Sequence, residues 1–381
     1  MNLKPALVAV LVACTVVACK KKKEELPIPY ETLTATTSYF KTFKGADSNT
    51  TVSFTDVTVR GRMLKDMEDY MQTYGLIPVD GERLKRMYNN TGTPFFDTAL
   101  NRFPSVSLSA ATAASLPAAD AEQVRSRFNG WIDSVTRASQ YGLEPASPGK
   151  PGTVGGTYLV SSNGIEYLQL FKDGLIGAIM LDQLCNVQLG AVPGADNNNV
   201  VAGANYTAMA HYWDAAYGNL SANEWFPYKN NTGNFLEVYL GYYVRQAKGE
   251  FGDPSALYLA FLKGRAAIVN KDNGTRDEQM AYLRKNIEKA VATVAVSYLN
   301  KATIASSTSS YCHTLSEALG FIYALRYAHG AKMSAAKSDE LMATLFNGSG
   351  GSWTLTKETI YGVRDYLALT YVVDRDAIVN P

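Results

Sequence analysis

Apolar residues recur three and four positions apart along most of the chain, the period of an amphipathic helix, and the alternation expected of strands is nearly absent. Met63, Leu64, Met67, Tyr70, Met71 and Tyr74 predict a helix from about Gly61 that Gly75 ends. Residues 80–88 predict a short helix. Residues 118–141 predict a longer one with a stripe of Val124, Phe128, Trp131, Ile132 and Val135. Between these two, 95–116 mixes Pro, Ser and Ala and predicts irregular chain with helical turns. A Pro- and Gly-dense stretch at 144–156 marks a boundary or loop, and Tyr158-Leu159-Val160 predicts a brief extended piece. Residues 163–189 are apolar on nearly every side, which predicts one long, central, buried helix. Gly174 and Gly177 cost helix propensity there and predict a close approach by a neighbouring backbone. After a polar loop at 193–203, further helices are predicted near 206–220, 233–249, 254–270, 276–302, 314–330, 335–346 and 356–373. The expected fold class is all-α, an antiparallel helical bundle or bundles, with 54–145 and 157–381 as candidate lobes of a helical body spanning 54–381.

The N-terminus carries a different pattern. A lysine at position 4 precedes an apolar stretch at 5–18 that suits a secretion signal and is too short to span a bilayer, which takes about 20 residues. It ends in Val16-Val17-Ala18-Cys19, the pattern at which a lipoprotein signal is cleaved and its cysteine acylated; Leu11-Val12-Ala13-Cys14 is a weaker rival that would leave a cramped apolar region. The expectation is a signal peptide at 1–18, a lipidated Cys19 and a tether over 19–53, with no later segment long and apolar enough to span a membrane. Each buried methylene of an acyl chain contributes about 0.8 kcal/mol, and stable anchoring needs more than one chain or added basic residues. Lys20 to Lys23 supply such a basic run, or serve simply as a solvated spacer.

A net charge of +1 gives no electrostatic case for nucleic acid, and 46% hydrophobic residues suffice for a large core. Past the signal only Cys185 and Cys312 remain; they could pair in an oxidising compartment, but two free buried thiols are expected. The chain contains no HExxH, no phosphate loop, no dinucleotide fingerprint and no cysteine-based zinc pattern.

Four constellations remain as candidate chemistry. Asn163 and Glu166 stand at the start of the central helix, where a carboxylate beside free amides could bind a cation; alternatively they form a capping box. His211 and Asp214, three apart, would share a helix face, and Glu166, His211 and Asp214 together are the candidate metal ligands. His313 and Glu317, four apart, would also share a face, unless Thr314 and Glu317 form a capping box that leaves His313 outside the helix. Thr275 and Glu278 make another such box, after a turn at Asp272-Asn273-Gly274. Finally, Trp213, Tyr217, Trp225, Phe226, Tyr228, Phe235, Tyr239, Tyr242 and Tyr243 crowd one region, as stacking surfaces for sugar, porphyrin or peptide or as ordinary core.

The segments 163–170, 174–178, 210–218, 261–268 and 313–318 resemble the DUF4856 family of secreted lipoproteins, over most of the chain from about residue 27. That resemblance implies the fold and an envelope location rather than an activity. Asn163 to Glu166, followed by Tyr167 and Leu168, is also similar to the His-x-x-Glu signature of the imelysin family, two-lobed helical lipoproteins tied to iron or haem uptake and once regarded as peptidases. Asn163 replaces the histidine, so only Glu166 carries over. The leading expectation is therefore a binding protein, lipid-anchored at the outer membrane on its periplasmic or outer face, beside an outer-membrane transporter. Its site would gather Asn163, Glu166, His211, Trp213, Asp214, His313 and Glu317 around a ligand, a divalent metal or haem among the candidates. The competing expectations are a metallohydrolase and a glycan-binding component of an uptake system.

Overall fold

Hydrogen bonds from the free amides of a helix start to a polar side chain just before it set most of the helix boundaries. In the computed structural model, which describes residues 27–45, 47–222, 238–247, 255–330 and 332–379, Asp80, Thr207, Asp272, Ser307, Ser334 and Thr356 each cap a helix in this way. Among the described residues the α-helices of seven residues or more are α1 (Thr55–Met71), α2 (Gly81–Asn89), α3 (Ala118–Ser139), α4 (Tyr167–Leu175), α5 (Ala208–Leu220), α6 (Leu240–Gln246), α7 (Ser255–Val269), α8 (Asn273–Ile304), α9 (Thr308–Ala324), α10 (Ala335–Phe346) and α11 (Lys357–Tyr371). Short loops join α7 to α8 and α8 to α9, which lays them antiparallel. Among the described residues the sheet is a single hairpin, β1 (Gly152–Val154) paired antiparallel with β2 (Tyr158–Val160). The all-α class holds, and the extended piece at Tyr158–Val160 is this hairpin's second strand.

The core is organised around α4 and its continuation. Beyond Leu175 the chain stays helical through two π-helical stretches, Ile176–Leu181 and Gln183–Gln188, and closes with Leu189–Ala191. Every residue from Leu168 to Cys185 is buried. Against expectation, Tyr167–Gly194 is long and apolar enough to cross a membrane, but 72% of its most apolar window is buried inside the protein, as a core helix must be. Gly177 meets a neighbouring backbone as predicted, whereas Gly174 makes room for aromatic side chains instead. A Cβ on Gly177 would lie 2.2 Å from Cα of Ala324, and one on Gly174 would lie 2.9 Å from the Trp131 ring. Gly320 returns the contact from α9, since its Cβ would lie 2.5 Å from Cβ of Asp173. Phe128 and Trp131 of α3 pack edge-on against Tyr323, and Phe128 against Phe171, so one hydrophobic core joins the two candidate lobes.

Several boundaries differ from those predicted. The tether ends well before residue 53, because Leu33, Tyr39, Phe43 and Val52 belong to the core. Helix α1 starts at Thr55 rather than near Gly61. Helix α8 starts at Asn273, with the Asp272 carboxylate accepting from Thr275 N at 3.0 Å, so the Thr275–Glu278 box is replaced by a cap three residues earlier. Cys185 and Cys312 are both free and buried, as expected.

The Gly177 contact involves backbone on both sides, so neither partner can yield. Gly177→Ala is expected to destabilise the protein by about 1–3 kcal/mol, the cost of overpacking a filled core. Urea unfolding checks this; an unchanged midpoint would show that the two helices are free to separate.

Candidate functional site

A polar turn between β2 and α4 places the first carboxylate. Ser161 N donates to Ile165 O at 2.9 Å, and Gly164 adopts a φ of +76° with Ser352 and Trp353 packed against it. A Cβ at this position would lie 2.2 Å from Ser352 Oγ. Asn163 is held in this turn by its own carbonyl, which accepts from Ser352 N and Ser352 Oγ at 2.9 Å each. It is not the N-cap of the central helix. Glu166, in extended conformation, precedes α4 directly, and the predicted capping box is absent. The Glu166 amide instead donates to Ser316 Oγ at 2.9 Å, and Ser316 donates onward to Cys312 O at 2.6 Å. The turn is thereby fastened to α9.

That docking brings Glu166 to His313. Helix α9 begins at Thr308, capped by Ser307, so His313 lies inside the helix, and Thr314 Oγ1 donates back to Ser310 O at 2.8 Å instead of capping. His313 and Glu317 therefore share a face. His313 Nδ1 donates to Glu166 Oε2 at 2.7 Å, and its Nε2 lies 3.7 Å from Glu317 Oε2. The Tyr158 ring stacks on the imidazole at 4.1 Å, an interplanar angle of 15°. Behind this pair lies a set of buried charges. Lys172 Nζ is 3.7 Å from Glu68 Oε1. Asp173 Oδ1 accepts from Tyr243 OH at 3.1 Å, while its Oδ2 is buried without a hydrogen-bond partner.

Burial governs the protonation of these groups. It pushes the Asp173 carboxyl well above the usual range, against the attraction of Lys172 and with added repulsion from Glu317. It raises Glu317 as well, partly offset by His313 and Lys172. For His313 burial acts downward, but the hydrogen bond and charge of Glu166, with Glu317, leave the imidazole above its ordinary 6.5. Lys301 is lowered by burial although Glu317 draws it upward.

The other expected site residues lie elsewhere. Asp214 is fully buried and serves the core: it accepts from Arg265 Nε at 3.0 Å and from Tyr39 OH at 2.8 Å, and burial pushes its pKa up to about 6. Trp213 Nε1 donates to Phe261 O at 3.0 Å, with the ring pressed on Gly264. His211 stacks on Tyr206 at 4.8 Å, and burial lowers its pKa. Glu166, His211 and Asp214 thus do not converge as metal ligands. Among the described residues no set of three or more His, Cys, Asp or Glu side chains is arranged to hold a metal ion; the two carboxylates near His313 occupy opposite nitrogens of its ring. Of the crowded aromatics, Trp213, Tyr217, Tyr239 and Tyr243 are core residues rather than an exposed stacking surface, and Trp225, Phe226, Tyr228 and Phe235 lie outside the described residues. Asn163 also lines an open groove of about 520 Å³ with Ser134, Arg137, Tyr141 and Tyr167.

The site that emerges joins Glu166, His313 and Glu317, all three expected from sequence, to Tyr158, Lys172, Asp173 and Glu68, which were not. Lys172 and Asp173 did leave a signal, as adjacent charges inside an otherwise apolar helix.

Fold and site together define a mainly helical protein in which a partly exposed imidazole is paired with a buried carboxylate above a buried acidic cluster. The sequence profile described as Domain of unknown function (DUF4856) matches residues 39–373, and the chain belongs to that family. No curated protein and no solved structure matches the chain.

The raised pKa values predict how stability varies with pH. A raised folded pKa means that the folded state holds the proton more tightly. The contributions of His313, Glu317 and Asp173 are therefore complete below each group's unfolded value and are lost as pH rises through the folded one. The melting temperature is expected to fall as pH rises from about 6 to 8, above the unfolded histidine value of about 6.5. His313→Gln should flatten this slope. Thermal melts across this range check both, and a slope unchanged in the variant counts against the assignment.

Proposed function

We propose that this protein is a lipid-anchored binding protein of the cell envelope, held at the outer membrane by an acylated Cys19, that captures a small ligand at the Glu166–His313–Glu317 site for an outer-membrane transporter. The observation that carries the reading is His313. Its side chain keeps 21% of its exposure while hydrogen-bonded to a Glu166 side chain that keeps 5%. Taking paired charges out of water costs several kcal/mol per ion, and apolar residues of similar volume often stabilise a fold as well or better. A stack of Tyr158, His313 and two carboxylates at the open end of a core helix is thus poorly explained by stability, and well explained by recognition. The Val16-Val17-Ala18-Cys19 sequence supports the same reading, since a body tethered there would be suited to capture and delivery.

Two measurements test the proposal. A thermal-shift screen over amines, sugars, haem and divalent metals should yield a class of compound that raises the melting temperature of the wild-type protein by several degrees. The shift should be absent in Glu166→Gln and His313→Ala. Hits that persist undiminished in both variants would place binding elsewhere. Separately, mass spectrometry of membrane-extracted protein should show an N-terminus at Cys19 carrying acyl chains; an unmodified cysteine there would end the anchor reading.

A further inference from the structure

We infer that the ligand of this site is an organic cation, which presents a primary ammonium or guanidinium group to Glu317 and Asp173. The inference rests on the binding reading above and names the class of ligand. Among the described residues, Glu68, Glu166, Asp173 and Glu317 are buried, whereas the bases among them are Lys172, shared with Glu68, and His313. Lys65, paired more closely with Asp69, lies 4.0 Å from Glu68 on its outer side. Glu166, Asp173 and Glu317 are left with one imidazole, a share of Lys172 and, on the Glu317 side, the partly exposed Lys301.

A second observation is independent of this count. Asp173 is fully buried and its Oδ2 has no hydrogen-bond partner, while Oδ1 is engaged by Tyr243. A buried carboxylate oxygen calls for a donor, and an ammonium offers three and a guanidinium five, with no acceptor to conflict. Exposure decreases inward along the cluster, from 21% for the His313 side chain to 11% for Glu317 and none for Asp173. The walls also suit a cation. Lys301 Nζ already lies 4.9 Å from the centroid of the Tyr298 ring, beside Glu317, so this corner of the fold accommodates an ammonium on a tyrosine face. An anion would meet three carboxyl groups. A metal ion would need carboxylates that converge, and the imidazole stands between Glu166 and Glu317.

The burial-raised carboxyls give the binding a signature. Glu317 and Asp173 hold protons more readily than free carboxylic acids, and an incoming cation favours their ionised forms. Binding should release protons, and affinity should increase with pH by up to tenfold per unit for each proton released.

Isothermal titration of the full-length protein with putrescine and with agmatine tests this, using acetate and glucose as controls and two buffers of different ionisation enthalpy. The expected result is saturable binding of at least one amine, a buffer-dependent heat that reports proton release, and affinity that increases between pH 6 and 8. Glu317→Gln should weaken binding by tenfold or more. The pH and buffer dependence is read on the wild-type protein, so the inference stays testable if that variant fails to fold. Amine binding that is independent of pH and buffer, or undiminished in a folded Glu317→Gln, would overturn it. If neither amine binds while a neutral or anionic compound shows a His313-dependent shift, the cationic ligand is wrong and the binding site stands. If no compound of any class depends on His313, both readings fall.

Discussion

The close approach of α9 to the central helix is the constraint from which the rest of the molecule follows. Gly177 lies against the backbone of Ala324, and Gly320 lies against Asp173, so each helix supplies a residue without a side chain where the other comes nearest. Larger residues would hold the axes apart. At this separation, Ser316 reaches the Glu166 amide, His313 reaches the Glu166 carboxylate, and Asp173 and Glu317 come within range of each other's charge. The core contact and the polar site are two parts of one interface, the apolar part tight and the polar part opening toward solvent.

Much of this was legible in the sequence. Helical periodicity located nearly every helix because each packs an apolar face, and Gly174 and Gly177 announced a close approach because a glycine inside a long buried helix needs a steric reason. His313 and Glu317 were recognisable as a same-face pair. What was not legible has physical causes. The first turn of α9 is Thr308, Ser309 and Ser310, with no apolar residue to mark it, so the helix was expected to begin six residues late. Residues near Leu33 to Val52 read as a tether because their buried aromatics are spaced between Thr and Ser without a period. The convergence of Glu166 with His313 depends on residues 147 positions apart meeting across an interface, and no local pattern encodes that. Asp214 misled for the opposite reason: its spacing from His211 suggested a shared ligand, but its charge answers Arg265 on another helix.

The two buried acid systems show how differently the same cost can be met. Asp214 has a guanidinium and a tyrosine hydroxyl, both on Oδ1, while its Oδ2 is buried without a hydrogen-bond partner. Asp173 has a tyrosine on one oxygen and nothing on the other. A buried carboxylate hydrogen-bonded to its own guanidinium fixes an arrangement, whereas one bonded only to a neutral hydroxyl retains a preference for a cation.

The π-helical stretches of the central helix have a consequence for how that element is read from end to end. A turn whose hydrogen bonds reach five residues back instead of four carries more residues than a regular turn, so everything beyond it is rotated about the axis relative to what came before. Ile176–Leu181, between Asp173 and Asp182, acts as a phase shifter, and Gln183–Gln188 adds a second shift beyond Asp182. The first lets Lys172 and Asp173 face Glu68 and α9 while Asp182, past it, accepts from Ser115 and Asn186. The helix is one rod mechanically but two independent dials chemically, and each end can keep its own partners without imposing its register on the other.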